Sequence, residues 1–443
     1  MASIEEGSLR TLWKVSLPLM LSYFSTFSMM FVDRLFLSQL SEEAFSAASS
    51  SGTLASGLFF TPVAIASMSQ IFVSQFNGAQ NWSRLGQSTW QMLYFTLIST
   101  VYLIPLGYFG SYFLKPLEQS YFSLTLYFSP VLVGVAALQS FYLGQGKMKM
   151  ITLLAFLSNG INIILDPLLI FGWQEWVPSF GIEGAALATG ISEFIKLLLL
   201  FFFFLSSKNR IQFHTGYSPF QWSLCKKIIQ IGLPSALYES CEILGWAAFF
   251  WMMSLISPTH LLVASIIQSI MLLFLFSETA LEKGVSTIAG NLIGANRYDQ
   301  IIPLFKSSLT FIALFSLFLF ALLFFAPHLL ILWFYTGDDP NLLLLLHHSL
   351  LILGTYVILE NIRWTLGGIL SSAGDTFFLM KSTFLLTFFT LILPLYLFVY
   401  LGEKTILHAF AILAFYSLLS SLCNYLRFTK GTWRNLSIIE KRS

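Results

Sequence analysis

Long apolar segments, broken by glycine, proline and short charged stretches, dominate the chain. Twelve of them reach the roughly 20 residues that a helix needs to cross a bilayer. They lie near 11–38, 47–75, 87–112, 118–145, 150–172, 182–206, 228–256, 261–292, 303–335, 343–371, 377–402 and 404–427. Several are longer still, which predicts tilt, bends or extension beyond the hydrocarbon. Polar residues inside the segments are few, and their spacing is informative. The fifth segment carries Ser158–Trp173, SNGINIILDPLLIFGW. Steps of three and four keep Asn159, Asn162 and Asp166 on one helical face. Pro167 follows, removing a backbone donor and freeing a carbonyl one turn back. A carboxylate within a membrane costs about 3 kcal/mol or more unless it is solvated, paired or neutralised. The stripe therefore reads either as a stitched helix bend or as an ion or proton site.

Composition narrows the class. Of 443 residues, 56% are hydrophobic and 10% charged, against about 25% charged in a soluble domain. Mean hydropathy is +0.77. The predicted fold is an all-α polytopic membrane protein. Continuous apolar runs such as Leu197–Leu205 exclude a β-barrel. A net charge of +2 gives no reason to expect nucleic acid as a partner. Cys225, Cys241 and Cys423 are scattered and form neither a disulfide framework nor a CxxC pair. The polar N-terminus carries two glutamates and lacks the basic start of a signal peptide, so the first segment is expected to persist in the mature chain. The histidines form no HExxH motif and no phosphate-binding loop is present, so an enzyme is not expected.

Basic residues set the orientation. Arg84, Lys147, Lys149, Lys208, Arg210, Lys226, Lys227, Arg297, Lys306 and Lys381 fall on the side of the N-terminus, and Arg427, Lys430, Arg434, Lys441 and Arg442 on the tail. The opposite loops hold Lys115 and Lys404, with acids such as Glu42–Glu43 and Asp338–Asp339. Both termini are thus expected in the cytoplasm. The two halves also repeat. Ser16-Leu17-Pro18 returns as Gly232-Leu233-Pro234, and Asn77-Gly78-Ala79 as Ile293-Gly294-Ala295, both 216 positions on. Six spans per half make the repeats parallel, so two six-helix lobes around a central cavity are predicted, the plan of a transporter. The expected division is an N-terminal lobe, 1–206, a cytoplasmic linker, 207–227, and a C-terminal lobe with a basic tail, 228–443.

With SLPLML, Asp33 in FVDRLFLSQL, the FNGAQ and IGANR turns, GQGK, AGDT and NGINIILDPLLIFG, the chain resembles the multidrug and toxic compound extrusion (MATE) family over nearly its whole length. It departs at Ser371, where the family's second half usually shows arginine. The resemblance implies a twelve-helix, two-lobe fold and H⁺- or Na⁺-coupled antiport of amphipathic or cationic small molecules. The lipid-linked sugar flippases of the same superfamily are the alternative. The resemblance also implies a coupling site at Asp33, Asn162, Asp166 and Thr189, with Na⁺ held at the first three if sodium is the ion. A second-lobe site is implied at Glu242 and Glu360. Glu239 shares a helix face with Glu242, and Glu278 shares one with Glu282, so Glu239 and Glu278 join the second-lobe candidates. Pro18 and Pro167 are candidate bending points. Glu360 has Arg363 one turn on and Glu193 has Lys196, spacings that equally suit stitching ion pairs. No cofactor is expected beyond the coupling ion. The partners expected are the bilayer and small molecules, with the protein working as a monomer in a bacterial cytoplasmic (inner) membrane.

The charge asymmetry yields a direct test. A cysteine replacing Ser207 is expected to react with an impermeant thiol reagent only from the cytoplasm, and one replacing Asp338 only from outside. Labelling of both from one side overturns the twelve-span arrangement.

Overall fold

The computed structural model describes residues 6–332, 335, 337, 339–402, 404–436 and 438. Asp338, Lys441 and Arg442, used above for orientation, lie outside the described residues. The helices, in chain order, are α1 (Leu9–Leu40), α2 (Glu42–Ser67), α3 (Ser69–Gly78), α4 (Ser83–Ser111), α5 (Pro116–Gly144), α6 (Met148–Ile170), α7 (Ile182–Phe204), α8 (Ser207–Phe213), α9 (Trp222–Ile256), α10 (Pro258–Gly294), α11 (Ile301–Phe325), α12 (Pro327–Leu332), α13 (Pro340–Ser372), α14 (Thr376–Leu386) and α15 (Ile406–Lys430). The protein is an all-α polytopic membrane protein, and no strand occurs among the described residues. By length and apolarity, ten spans among these residues can cross a membrane, with α2 and α3 counted as one. An eleventh, α10, passes as a pair of segments bent by 47°. The 35-residue α9 carries Lys226, Lys227, Glu239 and Glu242 and is not among these spans. Val101, Phe202 and Leu317, each more than 70% exposed, show the outward apolar face that lipid requires and water would penalise.

The chain divides into two compact units. Unit 1 comprises Leu17–Ala236 with Ile293–Asn296; unit 2 comprises 6–16, Leu237–Leu292 and 297–438. Membership changes inside α1, next to Pro18, and inside α9, next to Pro234. These are the prolines of the sequence repeat.

Unit 1 is assembled by close backbone approaches. A side chain on Gly184 would fall 2.5 Å from the Leu169 carbonyl, and one on Gly190 would fall 2.3 Å from the Phe128 ring. Glycine at both positions lets α7 lie directly on α6 and α5, as small residues do between helices in lipid. The α6–α7 connection is tight as well: Phe180 N–H donates to Leu169 O at 2.9 Å and Gly181 N–H to Ile170 O at 3.1 Å. Between α2 and α3 the helix breaks at Met68, and Ser140 Oγ donates to Ser67 O at 3.0 Å. A carbonyl freed at membrane depth is thereby satisfied, as hydrocarbon demands.

The segment read as a linker is more ordered than its polarity suggests. It contains α8, and α9 begins at Trp222 rather than near 228. Trp90 Nε1 donates to Thr215 O, Tyr94 OH to Ser218 O, and Gln91 exchanges bonds with Pro219 O and the Gln221 N–H. Gly86 admits the strap, since a Cβ there would sit 2.5 Å from His214 O. Lys147, at the start of α6, holds its ammonium 4.8 Å over the Phe213 ring. Burial there, with Lys208 nearby, brings its pKa down to about 8.

Unit 2 packs Phe249, Ile267, Leu350, Tyr356 and Phe410 into one continuous core. Beyond α14 the chain winds into two π-helical stretches, Thr387–Ile392 and Leu395–Tyr400, flanking Pro394. The proline has no N–H to give the preceding turn, and the wide turns accommodate that loss.

Packing at the glycines is testable. Gly184→Ala is expected to lower thermal stability by about 1–3 kcal/mol through overpacking. Gly160→Ala, where no atom lies within 4 Å of the added methyl, is expected to be neutral or slightly stabilising. Melting in detergent distinguishes them; equal behaviour argues against the α6–α7 approach.

Candidate functional site

In unit 1, α1 and α6 run together and exchange polar contacts at regular intervals. Thr152 Oγ1 donates to Pro18 O at 2.7 Å, and seven residues along each helix Asn159 Nδ2 donates to Ser25 Oγ at 2.7 Å. One further step, seven residues on α6 and eight on α1, brings Asp166 within electrostatic reach of Asp33. Seven or eight residues make about two helical turns, so nearly equivalent faces meet at each step. The rungs ascend both helices in the same sense, as the first and fifth spans of the predicted topology require.

Thr189 of α7 completes the group. Asn162 Nδ2 points to Asp166 Oδ1 at 3.5 Å and to Thr189 Oγ1 at 3.3 Å, and Thr189 Oγ1 donates to Asp33 Oδ2 at 3.4 Å. All three contacts lie at or beyond the long end of hydrogen-bond distances. Asp166 and Asn162 are fully buried, while Asp33 and Thr189 are partly exposed. Asp33 Oδ1, Asp166 Oδ2, Asn162 Oδ1 and Asn159 Oδ1 are buried without a hydrogen-bond partner. Among the described residues, no lysine or arginine pairs with Asp33 or Asp166. The four residues singled out in sequence, Asp33, Asn162, Asp166 and Thr189, are therefore brought together. Tyr121 of α5 lies within electrostatic reach of Asp33 and Asp166. Sequence reasoning missed it, since nothing marks one tyrosine among 17. Pro18 and Pro167 both sit inside uninterrupted helices bearing the cluster.

The second-lobe candidates all fall in unit 2, where their surroundings are different. Arg363, 1% exposed, lies at their centre. Its Nε donates to both oxygens of Glu360, at 3.0 and 3.1 Å, and Nη2 also reaches Glu360. Its Nη1 donates to Glu242 Oε1 at 2.9 Å and approaches Tyr238 OH at 3.2 Å. Tyr416 OH donates to Glu242 Oε1 at 2.7 Å, and Trp364 Nε1 donates to Glu360 Oε2 at 3.0 Å. The Trp364 ring lies against the guanidinium at 4.9 Å. Glu278 of α10 is buried within electrostatic reach of this group. Glu239 instead faces Glu282 and Lys283, which pair at 3.3 Å. The Glu360–Arg363 and Glu193–Lys196 spacings do form ion pairs. Tyr238, Trp364 and Tyr416 were not singled out in sequence, because contacts between distant helices leave no local pattern. Beside Ser371, the turn aspartate Asp375 is held by Arg427 of α15 at 2.7 Å.

Comparison with known proteins follows the same lines. The MatE family model matches residues 18–168 and 234–397, one segment in each half. A probable multidrug resistance protein NorM of Thermotoga maritima is 24% identical over 55% of this chain. The match spans 51% of that relative, about half its length. A probable multidrug resistance protein YoeA of Bacillus subtilis is 24% identical over 68% of this chain and 67% of its own. The fold is similar to that of a solved MATE in complex with MaL6, with a TM-score of 0.86 and 16% identity over 98% of this chain and 99% of the other. It is also similar to the eukaryotic MATE transporter AtDTX14, with a TM-score of 0.81 and 18% identity over 96% of each chain.

The clamp in unit 2 predicts unequal losses. Glu360→Gln strips Arg363 of its two-oxygen partner and is expected to cost about 3–5 kcal/mol of stability. Glu242→Gln leaves that partner in place and is expected to cost less. Melting temperatures of the two purified variants check the order; a reversed order refutes the assignment of Glu360 as the principal partner.

Proposed function

Since the chain belongs to the MatE family, we propose that it is an H⁺- or Na⁺-coupled antiporter. In this reading it exports amphipathic or cationic small molecules by alternating access, and Asp33, Asn162, Asp166 and Thr189 bind the coupling ion. The observation that carries the reading is the loose, buried oxygen cluster of unit 1, with its unpartnered carboxylate and amide oxygens. Two carboxyls in mutual reach do not both stay charged in a low dielectric without a proton or cation between them. A proton satisfies the pair by making one carboxyl a donor. Na⁺ satisfies it as a hard cation among oxygens alone, Asp33 Oδ1, Asp166 Oδ2, Asn162 Oδ1 and Thr189 Oγ1. The long separations leave room for such an ion.

Occupancy changes the charge of the lobe at the place where α1 and α6 meet. Empty, the pair carries charge that only water or a cation tolerates at that depth. Occupied, it carries one negative charge fewer, and α1 is free to settle differently on α6 about Pro18 or Pro167. Antiport requires that ion and exported molecule oppose each other, and that opposition is mutual, typically about 1–3 kcal/mol. In the proposed orientation both termini are cytoplasmic, and the membrane is the cytoplasmic membrane of a bacterium.

Asp166→Asn mimics the charge of the occupied pair. It is expected to fold, reach the membrane and lose ion-driven export. The measurement is efflux of a cationic dye from vesicles under an imposed pH or Na⁺ gradient, with expression measured in parallel. Export at the wild-type rate refutes the site; dependence on one gradient alone names the ion.

A further inference from the structure

Glu242 and Glu360 pose in unit 2 the problem that Asp33 and Asp166 pose in unit 1: two carboxylates from different helices at one place. The two solutions differ in one respect. Among the described residues no cationic side chain pairs with the unit 1 acids, which keep unpartnered oxygens. In unit 2 the guanidinium of Arg363 lies between the acids, and both oxygens of Glu360 and Oε1 of Glu242 accept hydrogen bonds. Aromatic groups hold it there. Trp364 lies against the guanidinium and bonds Glu360, Tyr238 meets Nη1, and Tyr416, itself reached by Thr387 Oγ1 at 3.2 Å, bonds Glu242. A planar guanidinium with five fixed donors fits this arrangement as a lysine ammonium cannot.

We propose that Arg363 is a built-in cation of unit 2, occupying the place between Glu242 and Glu360 that an external ion or the charged end of a substrate would otherwise take. Resting on Asp33 and Asp166 as the coupling site, this deepens the functional reading: one lobe exchanges its cation with solution, and the other carries its own. The residue thereby sets which lobe is ion-selective. A soluble cation competing for Glu242 and Glu360 faces a tethered one at very high local concentration. The neighbouring titratable groups are Glu278, which lies toward the cluster from α10, and the Glu239–Glu282–Lys283 group on α9 and α10. These stay unchanged in every comparison below.

The test counts cations bound to the purified full chain, with ²²Na⁺ as one probe and proton uptake after a pH step as the other. Arg363→Gln is expected to bind one more cation equivalent than the wild type, by either probe. The triple variant Glu242→Gln/Glu360→Gln/Arg363→Gln, in which the group is wholly neutral, is expected to match the wild type. A folded Arg363→Gln protein that binds no additional cation overturns the proposal. So does a triple variant that binds fewer cations than the wild type, because Glu242 and Glu360 would then hold an external ion despite Arg363. That second comparison decides the matter if Arg363→Gln does not fold. Asp166→Asn separates this proposal from the functional reading. If its stoichiometry stays at the wild-type level, the unit 1 site fails, while a gain in Arg363→Gln still upholds the built-in cation.

Discussion

Charge inside hydrocarbon is the constraint on which this structure turns. Asp166 is completely buried in a helix whose outward face meets lipid. An ionised carboxylate there is tolerable only with compensation, and the surrounding structure is arranged to supply or withhold it. The rungs at Thr152–Pro18 and Asn159–Ser25 hold α1 on α6 in the register that brings Asp33 to Asp166. Gly184 and Gly190 seat α7 closely enough for Thr189 to reach both Asn162 and Asp33. The interactions are ordinary hydrogen bonds and van der Waals contacts. Their combined effect is to bring two acids together without neutralising them.

Unit 2 meets the same constraint with a covalently attached counter-charge. Arg363 satisfies Glu360 on two oxygens and Glu242 on one, and Tyr416 and the Trp364 indole add hydrogen bonds to the same oxygens. Such networks are rigid because removing any member leaves a buried charge unpaired. The looser cluster in unit 1 has contacts of 3.3 to 3.5 Å and several idle oxygens. Related sequence patterns in the two halves have thus produced one group in which a cationic side chain pairs with the acids and one in which none does among the described residues.

Much of this was legible in the chain, for reasons that are local. Apolar runs of the right length mark the helices, because a membrane imposes length directly. The Asn159–Asn162–Asp166 stripe was visible because helical periodicity places three polar residues on one face. The Glu360–Arg363 and Glu193–Lys196 pairs were visible for the same reason. What escaped depends on contacts between distant segments. Tyr121, Tyr238, Trp364 and Tyr416 look like any membrane aromatics until the helices carrying them are packed. The strap from α8 to Trp222 read as a linker because its bonds are made with Trp90, Gln91 and Tyr94, more than 100 positions earlier. The π-helical turns around Pro394 could be anticipated as a disturbance, but not as that particular remedy.

Burial within the unit 1 cluster is uneven, and the asymmetry has a physical consequence. Asp33 and Thr189 are partly exposed, whereas Asp166 and Asn162 are sealed. Under the proposed function, an ion arriving from outside the helix bundle meets Asp33 first and loses the rest of its hydration only on reaching Asp166. Dehydration is the costly part of bringing a cation or proton to such depth. Dividing it between a half-wet and a dry carboxylate lowers the largest single step. Asn162 spans the two stages, since its Nδ2 contacts both Thr189 and Asp166 while its Oδ1 remains free. The amide can thus orient the buried acid without neutralising it, which in the proposed function leaves Asp166 able to take the ion that Asp33 meets first.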